Sequence, residues 1–151
     1  MSIITQSELF AQAHNFTEHG LFTEAVKKYL DFVDEFPDSD LADDALFNAG
    51  LCYCHINMFG LAITTLNDVL SRYPDGEIST HNNCEFGRTA AKCHYALINC
   101  YLATGRPDAA TEELKKLRDY PESYIISDLG EKITYYSLAT KAISTYTNQN
   151  G

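Results

Sequence analysis

Hydrophobic positions in this chain recur every three or four residues, in three successive blocks that share one grammar. The first block runs Leu9, Gln12-Ala13, Phe16, then Gly20-Leu21-Phe22, Ala25, Tyr29, Phe32 and Pro37. The second runs Leu46, Ala49-Gly50, Tyr53, then Asn57-Met58-Phe59, Ala62, Leu66, Val69 and Pro74. The third reads His94, Leu97-Ile98, Tyr101, then Gly105-Arg106-Pro107, Ala110, Leu114, Leu117 and Pro121. Apolar residues at this spacing form one stripe on a helix, so each block predicts two amphipathic helices meeting at Gly20, Asn57 or Gly105. Those three residues tolerate the left-handed backbone that ends a helix, the alanines at 25, 62 and 110 let the second helix lie close to the first, and the proline stops it.

Helix starts agree with this reading. Thr5-Gln6-Ser7-Glu8 has the form of a capping box, and Ser39 or Asp40 is placed to cap the next helix, with Asp43 and Asp44 in its first turn. The repeats so defined span about 6–38, 43–76 and 91–121. Residues 75–90, DGEISTHNNCEFGRTA, lengthen the last interval; they either extend the second hairpin as a loop or start the next helix early, near Asn83. After Pro121, Leu129, Ile133, Tyr136, Leu138, Ala142, Ile143 and Tyr146 predict a helix over about 127–147, weakened by Gly130 near its start, that caps the open end of the stack. The last residues, 148–151, are expected to fray. No hairpin buries its apolar faces alone, so residues 1–151 are read as one domain.

The pattern resembles the tetratricopeptide repeat, whose Leu-Gly, Tyr, Ala, aromatic and Pro positions are matched best in the second block. The longer period and the phrases FPDSDLADDALFNAGLCY and LNDVLSRYPDG are also similar to bacterial tetratricopeptide proteins of the cell-envelope-assembly type. The resemblance implies an all-α fold, a right-handed α-solenoid of three helix hairpins plus a capping helix. It also implies a non-catalytic adaptor or scaffold that binds a segment of another protein in its groove. The opening MSIITQSELFAQAH has neither the basic nor the apolar region of a signal peptide, so a cytoplasmic location is expected rather than the envelope of those relatives.

Charge sharpens the picture. The net charge is −10, and residues 1–71 carry only Lys27 and Lys28 against eleven acids, whereas residues 72–151 are close to balanced. A surface of that sign repels phosphate backbones and anionic lipid, so neither nucleic acid nor membrane is expected as a partner, and a basic segment is favoured. Five cysteines, four of them inside helical blocks, read as reduced thiols.

Candidate chemistry is sparse. Cys52 and His55 share a helical face, and Cys93-His94 sit on the equivalent helix of the third block, which raises a zinc reading; the spacing nevertheless matches neither C-x₂-C nor H-x₃-H. Cys52 and Cys100 occupy one repeat position, as small side chains between stacked helices would. Asp38-Ser39-Asp40 lacks the glycine and glutamate of a calcium loop. No catalytic residue, metal or cofactor is therefore assigned.

In the family that the pattern resembles, the first helices of the repeats line a groove. The matching positions here are Phe10, His14, Thr17 and Glu18; Phe47, Asn48, Leu51, Cys54 and His55; and Lys92, Tyr95, Asn99, Leu102 and Ala103. Phe10, Phe47 and Tyr95 are the residue type that anchors interfaces. A carboxylate clamp known in the family is matched at Asn48 and Lys92 but not at Phe10, His14 or Ala96. The expected ligand thus has an apolar anchor with basic or neutral flanks. Self-association as a homodimer, with Tyr135, Tyr136 and Tyr146 as the seam, is the alternative.

Overall fold

A computed structural model describes residues 4–79 and 84–150. Within them lie seven helices: α1 (Gln6–Glu18), α2 (Phe22–Glu35), α3 (Ala42–His55), α4 (Phe59–Arg72), α5 (Thr89–Ala103), α6 (Pro107–Leu117) and α7 (Tyr135–Asn150). The first six form the three expected hairpins. Each hairpin closes in the same way. Gly20, Asn57 and Gly105 have φ of 73°, 62° and 72°. The N–H of the following residue reaches back to the last turn: Leu21 to the Phe16 carbonyl at 2.8 Å, Met58 to Tyr53 at 2.9 Å, Arg106 to Tyr101 at 2.8 Å. That six-to-one bond satisfies a helix-end carbonyl that would otherwise lack a donor, and only a left-handed residue permits it. Ala25, Ala62 and Ala110 are each completely buried.

The chain divides into two compact units, Met1–Arg72 and Tyr73–Gly151. In the first, α2 packs on both α1 and α3, and α3 on α4. Tyr29, Phe32, Leu66 and Val69 fill its interior. The capping box forms as expected: the Glu8 N–H donates to Thr5 Oγ1 at 3.1 Å, and Glu8 Oε2 accepts from the Thr5 N–H at 3.0 Å. The cap expected at Ser39 or Asp40 does not form, because α3 starts after Leu41 with no side-chain cap. Ser39 instead closes a tight turn, accepting from the Leu41 N–H at 3.1 Å and donating to Gln6 Oε1 at 2.6 Å.

In the second unit, α7 packs on α5 and α6. A three-stranded antiparallel sheet, which the hydrophobic pattern did not predict, joins them: β1 (Glu85–Phe86), β2 (Tyr124–Ile126) and β3 (Lys132–Thr134), in that order. Glu85 pairs with Ile125, which pairs with Ile133. The helix expected from residue 127 therefore begins at Tyr135. Residues 127–131 form the β2–β3 turn, in which Gly130 has φ +80° and its N–H donates to the Ser127 carbonyl at 2.8 Å. Thr134 then caps α7 by accepting from the Ser137 N–H at 3.1 Å. In the 75–90 insertion, Ile78 is buried, its N–H donates to the Gly87 carbonyl at 2.8 Å, and α5 starts only at Thr89. The early start near Asn83 falls outside the described residues.

Candidate functional site

The candidate face is built on α1 and α3 in the first unit and on α5 in the second, and each is described on its own. On α1, Phe10 is turned largely inward, edge-on to Tyr29 and Phe32 with ring centroids 5.6 and 5.7 Å away. One turn later His14 is exposed and lies 3.4 Å from Glu18, an i,i+4 pair. Thr17 bonds its own helix through Ala13 at 3.2 Å and meets Cys52 of α3 at 3.9 Å.

On α3, Phe47 is buried at 3 % exposure, so it is part of the interior. Asn48 is half-buried and, with Thr17, hydrogen-bonds the Tyr29 hydroxyl. Burial pushes the Tyr29 phenol up, and those two bonds oppose the rise. Leu51 and Cys54 are half-buried, and His55 is exposed with its ring stacked flat on Phe22, centroids 4.4 Å apart. The helical period explains this split: Leu46, Ala49, Gly50 and Cys52 point into the hairpin, leaving Leu51 and His55 one turn apart on the outer flank.

On α5, Lys92 is 9 % exposed and its Nζ lies 2.8 Å from Glu85 Oε2 of β1. Tyr95 is half-buried, tilted against Tyr135 of α7 at 6.0 Å. Asn99 and Ala103 are exposed, while Leu102 packs into the interior cluster around Ile98.

No disulfide joins the cysteines among the described residues, and buried Cys52 is a poor nucleophile on physical grounds. Burial pushes the Cys52 thiol up, only partly offset by its contact with Thr17. His55 is stacked on Phe22 and His94 is engaged by Glu113, Nδ1 to Oε1 2.6 Å. Among the described residues, no three His, Cys, Asp or Glu side chains converge as metal ligands, and no helix is long and apolar enough to cross a membrane.

Sequence reasoning missed two groups. One is the buried pair of His94 and Glu113, joined by exposed Lys116, whose Nζ lies 3.1 Å from Glu113 Oε2; the i,i+3 spacing of Glu113 and Lys116 signalled half of it. The other is the sheet's ladder of Phe86 stacked on Tyr124 at 5.1 Å, with Lys132 Nζ 4.2 Å above the Tyr124 ring.

Comparison with known proteins agrees with the hairpin geometry. The tetratricopeptide repeat family profile matches residues 44–76, the α3–α4 hairpin. No curated protein matches the chain.

Proposed function

We propose that this tetratricopeptide-repeat chain is a non-catalytic adaptor that docks a short segment of a partner protein on the α1/α3 face of its first unit. Tetratricopeptide repeats mediate contacts between proteins, which supports a protein as the ligand. The observation that carries the reading is the combination of a half-buried apolar residue, Leu51, with exposed His55 one turn away on α3, in a strongly acidic unit that also exposes His14 on α1. Residues 1–72 hold Lys27, Lys28 and Arg72 against eleven acids. Such a face attracts a segment with an apolar anchor and basic flanks, and repels acidic tails.

Asn48 and Lys92 take a smaller part in this proposal than their repeat positions imply, because Asn48 is bonded to Tyr29 and Lys92 to Glu85. A reducing compartment such as the cytoplasm is part of the proposal, supported by a sequence whose five cysteines lie mostly within helices, two on α3 and two on α5. Fluorescence anisotropy with labelled peptides tests the reading. Probes carrying one Leu or Phe between Lys/Arg flanks should bind wild type more tightly than Asp/Glu-flanked ones, with an advantage that shrinks as salt rises, and Leu51→Asp should lose both. Preference for the acidic probes overturns it.

A further inference from the structure

The most exposed large hydrophobic side chain described is Leu129, at 87 %, against 45–46 % for Leu21, Met58 and Leu61. It stands at the tip of the β2–β3 hairpin. That tip is held by three hydrogen bonds: Gly130 N–H to the Ser127 carbonyl at 2.8 Å, Ser127 N–H to the Glu131 carbonyl at 2.8 Å, and Glu131 N–H to Ser127 Oγ at 3.1 Å. A five-residue turn closed by these bonds, with left-handed Gly130 inside it, is a stable hairpin connection, so Leu129 is carried on a pre-formed knob. Asp128 and Glu131 flank it, and among the described residues neither side chain makes an ion pair.

The same unit carries a recess of matching chemistry. Leu117, Pro121, Tyr136 and Thr134 line a cleft of about 280 Å³, with Arg118 at its edge. This is just below the ~300–1,000 Å³ typical of small-molecule sites, and it has room for an aliphatic side chain and part of the backbone that carries it. Arg118 is exposed and has no ion-pair partner among the described residues. An exposed leucine between two carboxylates and an apolar cleft edged by an unpaired guanidinium are complementary in polarity and in charge. Within one chain they do not meet, since Leu129 is exposed.

We infer that the occupant of the cleft is Leu129 of a second copy of this chain, with Asp128 and Glu131 set against Arg118 of the receiving copy. A reciprocal exchange gives a closed dimer; a one-way exchange propagates into a chain of copies. The knob costs little to order because its hydrogen bonds already exist, and burial of the leucine supplies the attraction. The inference is independent of the α1/α3 face, which lies in the other unit.

Sedimentation velocity on the full chain over a range of concentrations tests it. Wild type should associate reversibly. Leu129→Ser, at a position with no packing to lose, should raise the dissociation constant by at least about tenfold. Charge reversal gives a sharper result. Arg118→Glu alone and Asp128→Lys/Glu131→Lys alone should both be monomeric, because each sets like charge against like. Their equimolar mixture should associate again, acidic knob with basic cleft and basic knob with acidic cleft. Wild type that stays monomeric at all concentrations overturns the inference, as does association that these substitutions leave unchanged or a mixture that fails to recover. Circular dichroism of each variant excludes loss of fold as the cause.

Discussion

His94 Nδ1 lies 2.6 Å from Glu113 Oε1, and both side chains are at least nine-tenths buried between α5 and α6. Lys116 holds the second carboxylate oxygen at 3.1 Å, and the Tyr120 ring tilts against the imidazole at 5.6 Å. Burial by itself would raise the Glu113 carboxyl; the hydrogen bonds and charges of His94 and Lys116 outweigh it and hold the group below the ordinary glutamate value. A carboxyl depressed in the folded state stabilises the fold fully above the unfolded value, ~4.3, and loses that contribution as pH falls through the lower folded value. Glu113→Gln should therefore cost about 2 kcal/mol at pH 7, and the gap from wild type should close in acid. Urea midpoints at several pH values check this, and a gap that does not change with pH contradicts it.

Tyr135 is 3 % exposed, and its hydroxyl has no hydrogen-bond partner among the described residues. Desolvation drives its phenol pKa far up, and the nearby Glu85 and Tyr95 add to the rise. An unpaired buried hydroxyl costs free energy that a ring without it does not. Tyr135→Phe should accordingly stabilise the protein by about 1 kcal/mol, read as a higher thermal midpoint. Destabilisation would mean that the hydroxyl has a partner in solution.

Two glycines with positive φ should respond unequally. Gly105 has φ +72°, and a Cβ there would meet nothing within 4 Å, so Gly105→Ala should cost only the left-handed penalty. That penalty is about 1 kcal/mol. Gly87 has φ +110°, and a Cβ there would sit 2.6 Å from Ser123 Cα, which is backbone and cannot swing aside. The Ser123 Oγ also accepts from the neighbouring Arg88 N–H at 3.0 Å. Gly87→Ala should cost about 3 kcal/mol and loosen the joint between β1 and α5. Chemical denaturation of the two variants side by side checks the order.

The helices were legible because their signal is local. Leu46, Ala49 and Tyr53, or Ala110, Leu114 and Leu117, declare a period within two turns, and Gly20, Asn57 and Gly105 declare the stops. The sheet was not legible, since strands of two or three residues carry almost no period and Leu129, Ile133 and Tyr136 imitate a helical spacing. A hairpin signal was nonetheless present: β-branched Ile125-Ile126 and Ile133-Thr134 flank Asp128-Leu129-Gly130. The candidate face shows the same division. Repeat position places Asn48 and Lys92 on the first helices, but their partners come from Tyr29 on α2 and Glu85 on β1, pairings that depend on tertiary contact rather than on spacing.

Leu51 and His55 are proposed as the centre of the docking face, and capture of partners tests that role most directly. Affinity purification from native cells, with quantitative mass spectrometry, compares wild type against Leu51→Asp/His55→Asp and against Lys141→Ala as a control on an exposed position of α7. At least one protein should be captured by wild type and by the control but depleted at least about tenfold by the double variant, with helicity unchanged. Identical captures by all three would contradict the docking face and move the binding surface elsewhere on the molecule.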